Sequence, residues 1–203
     1  MATLAYPTLK LSAPSKQLFR LVANTQSFAS PLNGSVQTVE LPGARWAGQI
    51  FYETLEDPDI RLLESFLDQL RGRAGRFNML NFARLSPSGV GTGSPVVSAS
   101  GQTGVTLATS GWTISQTGIM KAGDLFVVNT ELKRIVTTVN SSGTGTATLT
   151  FEPPLRASPP LSAVITVNSP TVKCMLSDDN QNQIEMYGPN LGSLTMNFVE
   201  AFT

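Results

Sequence analysis

One stretch of this chain has the period of a helix, and it stands among segments that have the period of strands. Asp57-Pro58 opens it. Asp57 can accept hydrogen bonds from orphan amides at a helix start, and Pro58 suits the first helical position. Ile60, Leu63, Phe66, Leu67 and Leu70 then recur at three- and four-residue spacing, with Leu62 the one apolar residue off the stripe and Glu64 and Asp68 opposite it. Arg71 falls in the last turn and Gly72 just after it, the chemistry expected at a C-terminus. The pattern predicts a helix over 58–71 and no second one. A chain of 203 residues with a single helix has to build its core from strands.

The strand signals come in three blocks. In the first, residues 1–84, Val36–Leu41 alternates and Gly43 breaks it. Trp46–Thr54 follows, with Trp46, Gly48, Ile50 and Tyr52 on one face, and Phe77–Phe82 leaves the helix. In the second, residues 85–175, Ser, Thr, Gly and Pro dominate. Strands are predicted at Val105–Ala108, Trp112–Ser115, Asp124–Asn129, Leu132–Val139, Thr146–Phe151 and Val164–Val167, with Asn140-Ser-Ser-Gly-Thr-Gly as a turn between two of them. Pro153-Pro154 and Pro159-Pro160 are expected to stop pairing, because proline cannot donate to a ladder. The block reads as a small all-β barrel or sandwich, with disordered linker as the alternative. In the third, residues 176–203, Gln183–Tyr187 and Ser193–Phe202 read as strands, with Leu194, Met196 and Phe198 on one side. The N-terminal block has too few strands for a sheet of its own. The expected organisation is a discontinuous domain, 1–84 with 176–203, interrupted by an inserted domain at 85–175.

Composition narrows the chemistry. Fourteen basic residues offset fourteen acidic ones, so the basic excess of a dedicated nucleic-acid binder is missing. Zero net charge also leaves little repulsion against self-association. With no histidine, the commonest general base and metal ligand is gone. The single cysteine, Cys174, excludes an intrachain disulfide and a multi-cysteine metal site, and its Val172–Leu176 setting predicts a buried small hydrophobe. Met1-Ala-Thr-Leu-Ala-Tyr-Pro lacks the basic and apolar regions of a signal peptide, and no apolar run approaches a bilayer span, so synthesis in a cytoplasm and no membrane insertion are expected.

Four groups of residues are candidates for function. Glu56, Asp57 and Asp59 could form a calcium or acid–base site, or complement the helix dipole. Asp178-Asp179-Asn180 with Gln181 suggests calcium, but the twelve-residue loop with its central glycine and final glutamate is absent, which leaves a solvated turn. Arg71-Gly-Arg-Ala-Gly-Arg76 resembles a phosphate or nucleic-acid contact, yet lacks the lysine and Ser/Thr of a P-loop and precedes no helix, which favours a protein–protein or structural loop, with Arg71, Arg73 and Arg76 the candidate interface residues. Trp46 and Trp112 could stack a sugar or belong to the core. No catalytic, cofactor-binding or metal-ligating residue emerges, and a serine nucleophile would need a lysine base that nothing places.

Three segments together resemble a known family. Leu41-Pro-Gly-Ala-Arg-Trp46 and its strand, the helix from Pro58 to Leu70 closing on Leu-Arg-Gly-Arg, and the strand at Phe77 look like the N-terminal domain of siphophage distal tail proteins. Gly123-Asp124-Leu-Phe126, Arg134-Ile-Val136 and Ala147-Thr-Leu-Thr-Phe-Glu-Pro-Pro-Leu-Arg156 resemble the second domain of many such proteins, often a small OB-like barrel. The resemblance covers about 36–156 as a pattern of elements. It implies a mainly β fold: a β-sandwich or split-barrel ring domain with one helix, plus the inserted barrel. It also implies a virion structural protein, not an enzyme and without a cofactor, at the distal end of the tail. There a homohexameric ring would join the tail tube protein to hub, tip or baseplate proteins while DNA passes through the lumen unbound. The competing expectation is a carbohydrate- or receptor-binding module of a tail tip or fibre, which needs aromatic side chains such as Trp112, Phe126 and Phe151 on an exposed face.

Overall fold

A computed structural model describes residues 3–180 and 183–202; Met1, Ala2, Gln181, Asn182 and Thr203 lie outside it. The fold is mainly β, with several sheets and one α-helix among the described residues. In chain order the elements are β1 (Thr3–Ala5), β2 (Lys16–Val22), β3 (Thr25–Ala29), β4 (Val36–Glu40), β5 (Arg45–Glu56), α1 (Asp57–Leu70), a 3-10 turn (Gly72–Ala74), β6 (Arg76–Leu80), β7 (Gly93–Val97), β8 (Gly104–Trp112), β9 (Leu125–Val128), β10 (Glu131–Ile135), β11 (Ala147–Leu155), β12 (Thr171–Leu176), β13 (Ile184–Met186) and β14 (Leu191–Glu200). The chain forms two compact units. One comprises Leu9–Arg73 and Met175–Glu200, the other Met1–Thr8, Ala74–Cys174 and Ala201–Thr203.

In the unit of Leu9–Arg73 and Met175–Glu200, β5 is central. β14 runs antiparallel to it from Val199↔Ala47 to Leu191↔Glu56, and β2 runs antiparallel on its other side from Lys16↔Phe51 to Val22↔Arg45. The alternation of β5 buries Trp46, Ile50 and Tyr52, and that of β14 buries Leu194, Met196 and Phe198. Phe19 of β2 joins them, its ring centroid 5.2 Å from Trp46 and 6.0 Å from Phe198. Gly48 is required here, because a Cβ at that position would collide with the Leu18 carbonyl and the Phe198 ring. Helix α1 supplies the facing layer. Its stripe of Ile60, Leu63, Phe66, Leu67 and Leu70 is buried as its spacing predicts, each side chain contributing about 1.5–3 kcal/mol, while Leu62 stays 42% exposed.

The helix ends differ from expectation by one residue each. Glu56 is the N-cap and makes no side-chain cap bond, so Asp57 is already helical and accepts instead from Arg61 Nε at 2.9 Å. Arg71 is not in the last turn but forms the left-handed C-cap, with φ of 51° and its amide on the Asp68 carbonyl at 3.1 Å.

In the other unit β1 lies parallel to β6, and β6 antiparallel to β12, where Cys174 pairs with Phe77 and is fully buried. A five-stranded antiparallel sheet, ordered β7-β8-β11-β10-β9, curls around a second core that includes Trp112, Met120, Phe126, Ile135, Leu149 and Phe151. The Phe126 and Phe151 rings meet edge to face at 5.4 Å. Several sequence expectations need correction here. Trp112–Ser115 is not a separate strand, since β8 runs unbroken to Trp112. Leu132–Val139 ends its ladder at Ile135. Pro153-Pro154 does not stop pairing at Phe151. Strand β11 continues to Leu155 because its prolines fall in the register shift between Thr150 and Leu155, where the ladder to β8 is already interrupted. Val164–Val167 forms no strand of its own and makes isolated bridges instead.

Candidate assembly interface

The edges of the two units are treated differently. In the curled sheet the edge strands β7 and β9 are both occupied by one segment. Val97 and Ile165 donate to the Ala163 and Pro95 carbonyls at 3.0 and 2.9 Å, and Val127 and Thr166 exchange amide bonds at 2.9 Å. In the unit built on β5, β2 is an edge strand whose alternate residues Lys16, Leu18, Arg20 and Val22 are exposed. The ribbon does not end at Val22. After a joint where the Leu41 amide meets the Asn24 carbonyl at 2.7 Å, and Asn24 Nδ2 meets the Pro42 carbonyl at 2.7 Å, it continues as the β3–β4 hairpin.

No residue of β3 or β4 is buried. The hairpin is nonetheless apolar in part. Phe28, Val36 and Val39 are 58%, 62% and 48% exposed, and Leu32 at the tip is 95% exposed. Over Thr25–Glu40 its one charge is Glu40. An isolated two-stranded hairpin is marginal in water, and exposed edges and apolar patches mark surfaces that other chains cover. Sequence reading found β4 but not β2 or β3, so the arm went unrecognised, although Leu18, Phe28, Leu32, Val36 and Val39 are all visible as residues.

The basic loop is bound within the chain. The backbone amide of Arg73 donates to Asp179 Oδ1 at 2.8 Å, and Gly72, with φ of +66°, leaves no room for a Cβ beside that carboxylate. Asp178 Oδ1 accepts the Asn180 amide at 2.8 Å, while Gln181 lies outside the described residues. The turn read as merely solvated therefore supplies the anion for the Arg73 amide. Arg71 and Arg73 are exposed and belong to the unit built on β5. Arg76 belongs to the other unit, where its guanidinium donates to the Ala74 and Gly75 carbonyls at 3.1 and 2.9 Å.

Two carboxylates act as internal anchors. Asp59 is 2% exposed and does not serve its own helix start. It accepts the amides of Lys10, Leu11 and Ser12 at 3.0, 2.9 and 2.7 Å. Burial pushes its pKa up, but those amides and the Ser12 hydroxyl outweigh burial and hold the carboxyl below its ordinary 3.8. Asp124 is built the same way. Burial opposes ionisation, and the Lys121 amide, the Ser88 amide and hydroxyl and the Gly89 amide lower its pKa below 3.8. Fully buried Lys133 is engaged too, its Nζ at 2.7 Å from both Glu131 Oε2 and the Pro154 carbonyl. Among the described residues no group of three or more His, Cys, Asp or Glu side chains is placed to hold a metal ion.

The aromatic side chains singled out for stacking lie in the cores. Trp46, Trp112, Phe126 and Phe151 are at most 3% exposed, and Trp112 Nε1 is bonded to Thr109 Oγ1 at 2.7 Å. None of them can serve as an exposed sugar platform. Among the described residues no helix is long and apolar enough to cross a membrane. No family model matches the chain, and no curated protein matches it.

Proposed function

We propose that the chain is a structural protein of a phage virion that assembles with copies of itself into a ring at the distal end of a siphophage tail tube, joining the tube to hub, tip or baseplate proteins. The observation that carries this reading is the β2–β5 ribbon, with its open edge and its wholly exposed, largely uncharged hairpin. A closed ring would cover both, since each copy offers the same surface to the next. The curled sheet, with its edges already bridged, has no such need. The ring number of six, the place at the end of the tube and the passage of DNA without specific binding come from the resemblance of the segments around Trp46, Pro58–Leu70 and Ala147–Arg156. In this reading Arg71, Arg73 and Arg76 are candidates for contacts to carboxylates of a neighbouring subunit, where a guanidinium fork grips with two hydrogen bonds.

Imaging of assembled tails tests it. Six copies of this fold around the channel at the distal end of the tube are expected. Three copies, or a position along a side fibre, would overturn the assignment.

A further inference from the structure

The β3–β4 hairpin is a sheet of two strands, so each strand has one side without a partner in that sheet. The bonds at its two ends fix which backbone groups face those sides. The Leu41 amide donates to the Asn24 carbonyl at 2.7 Å, and the Ser30 amide donates to the Ser35 carbonyl at 2.8 Å. Between them the register runs unbroken from Thr25↔Glu40 to Ala29↔Val36. In an antiparallel ladder, hydrogen-bonded pairs alternate with pairs whose amides and carbonyls point away from each other. Asn24 with Leu41 and Ser30 with Ser35 set the phase, which makes Gln26 with Val39 and Phe28 with Gln37 the hydrogen-bonded pairs between them. Thr25, Ser27 and Ala29 on one edge, and Val36, Thr38 and Glu40 on the other, therefore point their amides and carbonyls outward.

These two edges lack the protection that edge strands ordinarily have, which is a lysine, a proline, a bulge or a covering segment. Strand β2 exposes Lys16 and Arg20, and β7 contains Pro95 and is bridged by residues 163–165. Strands β3 and β4 contain no lysine, arginine or proline. Their one charge is Glu40 at the base, and Pro31 is confined to the tip. The tip is held by its own bonds. The Gly34 amide donates to the Ser30 carbonyl at 3.0 Å, and the Ser35 amide to Asn33 Oδ1 at 3.1 Å. Both edges are thus preformed, and pairing them costs little further ordering.

We propose that β3 of one copy pairs antiparallel with β4 of the next through these outward groups, so that the hairpins of neighbouring copies stand side by side in one sheet. A second copy fits because β3 and β4 already run antiparallel, and a copy shifted sideways brings its β4 to the β3 of its neighbour in that same sense. Every register that joins the outward groups sets odd-numbered residues of β3 against even-numbered residues of β4. Phe28 and Val39, 58% and 48% exposed, then share one face of the joined sheet, beside the same residues of the neighbouring copy. Each copy has one edge of each kind, so the contact is heterologous and repeats from copy to copy. It rests on the self-assembly reading above and names the strands that meet.

Proline at an outward position tests it in the full chain, because it removes one outward amide and none of the hairpin's own bonds. Ser27→Pro closes the β3 edge, and Thr38→Pro closes the β4 edge. Sedimentation velocity should show wild-type oligomers larger than a dimer. Each variant alone should associate about tenfold more weakly. An equimolar mixture of the two should form dimers and nothing larger, because the intact β4 of the first variant meets the intact β3 of the second. A wild type that is monomeric at every concentration, variants that oligomerise like wild type, or a mixture without dimers would overturn the contact. So would a variant that dimerises alone, which would mean that β3 pairs with β3 or β4 with β4. Circular dichroism establishes that each variant is folded. If one is not, Ser27→Lys and Thr38→Lys, which put a charge on the same edges, give the same readout. Rings in assembled tails whose hairpins do not pair remove this contact and leave the assembly reading standing. Absence of the wild-type chain from tails removes the assembly reading itself.

Discussion

Asp59 is charged, buried and unpaired with any cation in its hydrogen-bond set, and it is ionised because three amides point at it. The sign of its effect follows from the lowered pKa. Above the ordinary 3.8 the carboxylate is charged in folded and unfolded chains, and the folded state has the full benefit of the bonds. As pH falls through the lower folded value the bonds are lost, so stability should decline on acidification below about pH 4. Asp59→Ala should cost about 2–4 kcal/mol at neutral pH, because three amides lose an ionised acceptor, and should flatten the acid limb of the stability profile. Urea denaturation from pH 7 to pH 3 measures both. An unchanged acid limb would place the titrating group elsewhere. The partners of Asp59 lie 47–49 residues upstream, and no local spacing reports a contact that long. That is why the sequence pointed to the helix dipole, which is next to it in the chain.

At the level of elements, the legible parts were those whose burial is one-sided. Helix α1 and the alternating strands β5 and β14 each put large apolar residues on one face, and the structure buries those faces. Leu67→Ala should therefore cost about 2–5 kcal/mol, and Leu62→Ala less than about 1 kcal/mol, in chemical denaturation. Equal losses would mean that the helix is covered on both sides. The parts that escaped are two-sided or irregular. Strand β3 buries nothing, β7 begins Gly-Ser-Pro, and the end of β11 beyond the predicted Thr146–Phe151 passes through two prolines at a register shift. The hairpin gives the sharpest contrast between folding and assembly. Replacing Thr25–Glu40 by a short Gly-containing turn should leave the thermal midpoint within a few degrees of wild type, because no core side chain is lost, and should abolish entry into tails. A variant that unfolds, or one that assembles normally, would show that the arm belongs to the core or to neither role.

Across the whole molecule, the sequence predicts one discontinuous domain, 1–84 with 176–203, around an insertion at 85–175. The chain passes between the units four times, entering one at Leu9, leaving it at Ala74, returning at Met175 and leaving again at Ala201. This interlacing dictates an order of events during synthesis. Strand β5 is complete when residue 56 emerges, yet its partner β14 begins only at Leu191, and the Trp46 amide waits for a glutamate 154 residues later. Most contacts of the chain are non-local, which makes early closure entropically expensive and folding slow. A chain ended at residue 190 should exchange its amide hydrogens over Arg45–Glu56 at near-unfolded rates, and native-like protection there would refute this. Timing then becomes a proofreading step. In the proposed ring, the ribbon offered to a neighbour is held in place only once residues 191–200 have been made, so fragments that stop short of them present no competent arm and cannot poison assembly.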